Sequence, residues 1–267
     1  MTLRVRPHAP DATGCVLEVT PESAGWDRVG FRVHRLTPGQ MLAGGGVDRE
    51  ACLVVLSGTA DIAAGDAAFP GIGGRASVFE DVAPAAVYVP AETRYRVTAR
   101  DAVELAVCTA PGTPGRAPRL IAPETMTREV RGEATNQRFV RNILPQDEPA
   151  DSLLVVEVIT PGGHWSSYPP HKHDRDVPGE ETALEETYYH RLNPPQGFAF
   201  QRVYTDDRSI DETITVEDGD VVMAPRGYHP VGAPHGYDLY YLNVMAGPKR
   251  EWIFKNDPAH AWIVARN

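Results

Sequence analysis

VYVPAETRYRV, residues 87–97, returns in altered form as VVMAPRGYHPV, residues 221–231. Setting Pro90 over Pro225 gives an offset of 135, about half of the 267-residue chain. The flanks repeat as well: LTPGQ (Leu36–Gln40) returns as ITPGG (Ile159–Gly163), and CTAPG (Cys108–Gly112) as VMAGP (Val244–Pro248). Landmarks in one order at similar spacing indicate two copies of one unit. The segments Leu153–Thr160, Phe198–Thr205, Glu212–Val216, Asp220–Ala224 and Tyr237–Met245 are rich in Val, Ile, Tyr and Phe. Gly, Pro and Asp bound them, which is the composition of strands. Asp218-Gly219 between two such runs predicts a hairpin, because both residues tolerate positive φ. No helical period lasts more than about two turns, the best being Pro123–Arg131. The chain reads as all-β, with two small barrels or double-sheet jelly rolls. The units are expected at residues 1–125 and 126–267, with the boundary between Gly115 and Asn136.

Composition narrows the function. Gly and Pro number 24 each, and both interrupt helices. The net charge is −10 and no basic run exceeds two residues, so a nucleic-acid surface is not expected. The longest apolar runs, such as Ala51–Leu56, fall far short of the ~20 residues that span a bilayer. MTLRVRPHAP holds no apolar stretch fit for a signal peptide. Cys15, Cys52 and Cys108 are odd in number, with no CxxC, and read as reduced core thiols. A cytoplasmic protein is expected.

The halves differ in chemistry. Six of nine histidines lie between His164 and His235, and eight of ten tyrosines at or beyond Tyr168. PPHKHD sets His171 and His173 two apart, a spacing that turns both to one side of an extended strand. EETYYH adds Glu185 and Glu186, and GDVVMAPRGYH adds His229. Two or three imidazoles with one carboxylate suit Zn, Mn, Fe or Ni. Glu180, Glu181, Glu185 and Glu186 are all candidates for that carboxylate. Lys172, between two inward histidines, should face away, and Asp174–Glu181 reads as a solvated loop that could lie over the cavity mouth. His164, His190 and His235 read as supporting groups.

These motifs resemble the cupin superfamily. GDVVMAPRGYH follows its second motif through Gly219, Pro225, Gly227 and His229, with one residue fewer between Gly227 and His229. HKHDRDVPGEETALEETYYH follows the first loosely, because twelve residues separate His173 from Glu186. More closely, HWSSYPPHKHD, LEETYYHR, QGFAFQRVYTDDRSIDET, VVMAPRGYHPV, GYDLYYLNVMAGPKR and NDPAHAWI are similar to the bicupin 5-deoxy-glucuronate isomerases of bacterial myo-inositol catabolism. The likeness runs from about Arg138 to Ile263. It implies a divalent metal held by His171, His173, Glu186 and His229. Glu186 is preferred because it stands two before Tyr188. The first copy, with Arg94 or Tyr95 in the place of His229, resembles a cupin that has lost its metal.

The resemblance implies an aldose–ketose isomerase that turns 5-deoxy-D-glucuronate into 5-dehydro-2-deoxy-D-gluconate, the metal polarising the carbonyl. Tyr188 and Tyr241 are expected to touch substrate. Arg202 is proposed to hold its carboxylate, with a salt bridge to Asp206 or Asp207 as the alternative. Tyr188, Tyr204, Asp206, Tyr241 and a metal-bound hydroxide are candidates for the base. A metal-dependent dioxygenase and a non-catalytic sugar-binding cupin are the rival readings. The partners expected are a small uronate and a second copy of the chain, a dimer suggested by strand edges and the apolar tail at Trp252 and Trp262.

Overall fold

The repeat reappears as strand register. In the computed structural model, which describes residues 2–266, Cys52 pairs with Tyr88 on one side and Cys108 on the other. Thr187, 135 positions later, pairs with Met223 and Val244. The large sheet of one unit runs Arg119–Ile121, Ala85–Val89, Arg49–Ser57, Val103–Pro111, Gly30–Leu36 and Cys15–Val19. The other unit repeats that order as Arg4–Val5, Val221–Ala224, Glu185–Asn193, Asp238–Ala246, Leu154–Thr160 and Arg138–Leu144, and adds Thr127–Arg131 at its edge. A four-stranded sheet faces each large one. It consists of Met41–Gly45, Arg94–Ala99, Thr59–Ala64 and Ala67–Gly73 in one unit. In the other it consists of Trp165–Ser166, Val231–Gly232, Ala199–Tyr204 and Asp211–Val216. Arg49–Ser57 and Glu185–Asn193 pair antiparallel with both of their neighbours, and the small sheets are antiparallel too. These are two jelly-roll barrels, as the composition indicates.

Each barrel buries apolar side chains from both of its sheets. Leu53, Val87 and Leu105 meet Leu42, Ile62 and Val97 in one. Val140, Val222 and Leu239 meet Ala199, Val203 and Val231 in the other. Contacts group the chain as Pro7–Thr127 with Asn142–Val155, and the rest as the second unit. A cut at 125/126 therefore leaves two stretches on the other side. Arg4–Val5 pairs with Val221–Ala224, the position that Arg119–Ile121 takes beside Ala85–Val89. Each large sheet covers the backbone of that strand with a short segment from elsewhere in the chain.

One local expectation needs correction. Asp218-Gly219 does not close a hairpin, since Asp211–Val216 and Val221–Ala224 lie in different sheets. Gly219 has φ 88°, and the turn carries the chain from the small sheet to the large one. Pro123–Arg131, the stretch with the most helical period, forms no α-helix, in keeping with the lack of a sustained helical pattern. Pro123 opens one 3-10 turn, Pro123–Thr125, and Thr127–Arg131 then extends as an exposed edge strand. The three cysteines are free and buried, and burial pushes the Cys52 thiol up to about 12, so it stays a thiol. No helix among the described residues is long and apolar enough to cross a membrane.

Glu50 ties Asn142–Val155 into its unit. Its buried carboxylate accepts from the Tyr88 hydroxyl at 2.6 Å and from the backbone N–H of Asp151, Ser152 and Leu153 at 2.8, 2.6 and 2.6 Å. Glu50→Ala would leave these donors unpaired in the interior. It is expected to lower unfolding stability by about 3–5 kcal/mol, read from denaturant unfolding.

Candidate metal centre

Strand alternation builds the floor of this site. Along Glu185–Asn193 the side chains of Glu186, Tyr188 and His190 share one face, and all three are buried. Tyr241 joins them from the neighbouring strand, where it pairs with His190. At the offset of 135 or 136, the corresponding positions of the other barrel are Ala51, Leu53, Val55 and Leu105, all in its apolar core. The same frame thus carries an ionisable floor in one copy and a hydrocarbon floor in the other. Tyr95 packs against that apolar core.

The histidines arrive from two further stretches. His171 opens a two-residue strand paired with Lys255–Asn256. His173 follows, and the two rings lie 6.2 Å apart. His229 stands behind Gly227, whose φ of 87° and close approach to the Tyr204 carbonyl, 2.4 Å from where a Cβ would lie, exclude a side chain. One ring nitrogen from each of His171, His173 and His229 lies within 4.8 Å of the others, and all three residues are buried. Glu186 Oε2 is 3.0 Å from His173 Nε2 and 3.2 Å from His229 Nε2.

The outer nitrogens fix the tautomers. His229 Nδ1 lies 2.8 Å from the Gly227 carbonyl and His173 Nδ1 3.2 Å from the Leu184 carbonyl. A carbonyl only accepts, so each Nδ1 carries the hydrogen and the neutral ring turns an Nε2 lone pair inward. Two lone pairs then converge on a carboxylate oxygen, and His229 Nε2 is buried without a hydrogen-bond donor. A divalent cation satisfies that set, and the donors fit a borderline metal. Burial holds His229 down at about 4 and His171 well below its usual value, so both are neutral at pH 7. Burial acts against a charge on His173, but the hydrogen bond and charge of Glu186 outweigh it and favour a proton on the inward Nε2, the place that a divalent cation would take.

The other carboxylates in the candidate list have different settings. Glu181 accepts the backbone N–H groups of Asp174 and Arg175 at 2.8 and 3.2 Å and folds the acidic loop back on itself. Glu180 is exposed and pairs with Lys255, and Glu185 is half-buried. Lys172 faces away from the histidines, toward Asp206 and Asp174. Asp174 also accepts the Gly227 N–H at 2.9 Å, so the loop after His173 steadies the turn before His229.

Arg202 does not reach the site. On Ala199–Tyr204, Ala199 and Val203 point into the barrel, and alternation turns Arg202 outward. There it forms a two-pronged pair with Asp211, both bonds 2.8 Å, and lies 4.3 Å over the Tyr204 ring. The partner is neither Asp206 nor Asp207. Tyr204 and Asp206 are also engaged elsewhere, Tyr204 donating to Asp257 at 2.7 Å and Asp206 accepting from Tyr228 at 2.9 Å.

Tyr188 faces the histidine cluster, and Tyr241 packs against Tyr188 and His190. Tyr188 lies 5.6 Å from the His229 ring and 5.0 Å from Tyr241. The Tyr188 hydroxyl meets Ser167 Oγ at 3.0 Å, and the Tyr241 hydroxyl bonds Ser166. Burial raises both phenols, so they remain O–H donors. Sequence reading missed the two serines and Phe254, whose ring stands 4.5 Å from His171. It also missed Arg138, although the alternation of RFVRNIL sets Arg138 on the same face as Val140.

Residues 3–263 match the family model described as the KduI/IolB family. The 5-deoxy-glucuronate isomerase of Geobacillus thermodenitrificans is 56% identical over 257 residues, covering 96% of this chain and 94% of that protein. The 5-deoxy-glucuronate isomerase of Bacillus subtilis strain 168 is 50% identical over 252 residues, 94% of this chain and 93% of that protein. An IolB-like protein from Salmonella typhimurium LT2 superposes with a TM-score of 0.96 at 51% identity, over 99% of this chain and 100% of that one. A Bacillus subtilis oxalate decarboxylase with Mn(II) centres superposes with a TM-score of 0.66 at 12% identity, over 96% of this chain and 79% of its own. This last likeness shows the two-barrel cupin fold.

His190, beneath Tyr188, has a pH consequence. Its Nε2 meets Gln201 Oε1 at 2.9 Å, and burial holds the ring at about 4. The unfolded chain binds the extra proton near 6.5, so stability rises with pH between about 4 and 6.5 and is lost as pH falls through that window. His190 is expected to contribute about 3 kcal/mol to the difference between pH 7 and pH 4. Urea unfolding of the parent and His190→Asn at both pH values should show a shallower dependence in the variant.

Proposed function

This chain belongs to the KduI/IolB family, and on that premise we propose that it isomerises 5-deoxy-D-glucuronate to 5-dehydro-2-deoxy-D-gluconate with a divalent metal. The observation that carries the reading is the inward convergence of His171, His173, His229 and Glu186 in one barrel. When bound there, a divalent ion would supply Lewis-acid polarisation to a substrate carbonyl or hydroxyl oxygen. The reaction moves one proton from the hydroxyl-bearing carbon to the aldehyde carbon and one from hydroxyl to carbonyl oxygen.

The protein's own groups serve the oxygen end of this exchange. Tyr188 and Tyr241, held protonated by burial, present O–H groups beside the histidines. The serine hydroxyls hold the phenols in place, so that a tyrosine can donate its proton to the carbonyl oxygen and regain one from the substrate hydroxyl that is losing it. Tyr188, Tyr241, Glu186 and His229 are each no more than 3% exposed. Water is therefore a poor competitor there, and the dipoles of the site act at full strength.

His171→Ala and His229→Ala are expected to lower turnover about a thousandfold or more and to cut bound metal, with the circular dichroism spectrum unchanged. Elemental analysis of purified protein and a uronate isomerisation assay read the two effects. Under argon in deuterated water the parent should place deuterium on product carbon. Oxygen uptake on adding substrate would instead indicate the dioxygenase reading. Arg202→Ala, altering an outward-facing pair, should leave kcat/KM within about twofold.

A further inference from the structure

We propose that Arg138 receives the carboxylate of the sugar-acid substrate and sets which end of it meets the histidine cluster; this rests on the uronate reading above. Arg138 begins the strand Arg138–Leu144. Val140, two residues on, belongs to the barrel core, while Phe139 between them is 44% exposed. Alternation therefore turns the guanidinium toward the interior of the barrel that holds the histidines.

Three consecutive residues locate it there. Ser166 bonds the Tyr241 hydroxyl, Ser167 the Tyr188 hydroxyl, and the Tyr168 carbonyl accepts from Arg138 Nη1 at 3.3 Å. The same segment runs on through Pro169 and Pro170 to His171. Arg138 thus shares one short wall with both site tyrosines and the first imidazole.

The guanidinium is left with capacity. Nη1 makes both of its hydrogen bonds, to the carbonyls of Tyr168 and of Asn136 at 3.1 Å. Among the described residues no carboxylate pairs with Arg138, and Nε and Nη2 have no acceptor. Other cations of this barrel are committed: Lys172 to Asp206 and Asp174, Arg141 to Glu157, Arg202 to Asp211. Gly132 makes room, since a Cβ there would fall 2.8 Å from Arg138 Nη1. A half-buried arginine held by one nitrogen, with the rest of its fork free, is built for a two-pronged carboxylate.

The test compares charged and neutral sugars. Metal-loaded parent, Arg138→Gln, Arg138→Ala and Arg138→Lys are titrated calorimetrically with 5-deoxy-D-glucuronate and with 5-deoxy-D-glucose, in which a CH2OH replaces the carboxylate. The expected result is uronate binding at least about 30-fold weaker in the Gln and Ala variants. The Lys variant should fall between, keeping charge without the fork. Neutral-sugar binding and metal content should stay within about twofold of the parent. Uronate binding within twofold of the parent in Arg138→Gln, or equal losses for both sugars, overturns the proposal. Parallel turnover assays separate the two readings. A parent that binds the uronate through Arg138 without isomerising it fails the isomerase reading and sustains the anchor, whereas an active enzyme indifferent to Arg138 does the reverse.

Discussion

Two imidazole lone pairs and a carboxylate oxygen, about 3 Å apart and shut away from water, form the constraint around which the second barrel is organised. Such an arrangement is unfavourable unless a positive charge lies among its members. Every neighbouring device serves to keep the three groups in place. The Gly227 and Leu184 carbonyls hold the hydrogens on the far side of the rings. Asp174 and Glu181 fold the intervening loop, and Gly227 lets His229 approach. A barrel wall of paired strands is stiff enough to hold this concentration of like-acting groups.

The comparison between the two copies shows how little of the frame needs to change. Sheet order and register are shared, while Glu186, Tyr188, His190 and Tyr241 stand where Ala51, Leu53, Val55 and Leu105 fill the other interior. These four floor positions, together with the histidines at 171, 173 and 229, separate a barrel with chemistry from one filled by packing. The apolar copy gains burial of about 25 cal/mol per Å2 from such positions. The polar copy depends instead on hydrogen bonds and charge pairing.

Most of this was legible in the amino-acid string, for reasons that differ by element. The repeat was visible because its turns need Gly and Pro at fixed places. His171 and His173 were visible because a spacing of two has a simple meaning on an extended chain, and period-two alternation separated Glu186 from Glu185. The same rule, applied to RFVRNIL and AFQRVY, would have exchanged Arg202 for Arg138. It needed one further fact that local sequence lacks, namely which face of each strand is the interior. Asp218-Gly219 misled for a related reason: a turn signal reports a reversal of direction, and pairing of the flanking strands depends on the sheets they join. The placement of Arg4–Val5 left no local trace, because edge pairing is written in backbone amides that every residue possesses.

That amino-terminal segment has a practical consequence. Arg4 and Val222 stand 218 positions apart in the sequence yet are paired neighbours, and the Leu3 carbonyl accepts from the Met223 amide. Closing so long a loop costs more chain entropy than the local pairings of the same sheet. Affinity tags or trimming at this terminus would act on the histidine-bearing barrel, through the strand that supports Glu186 and Tyr188 from their other side. Substitution at Leu3, Arg4 or Val5 would therefore reach the floor of the site through a single strand.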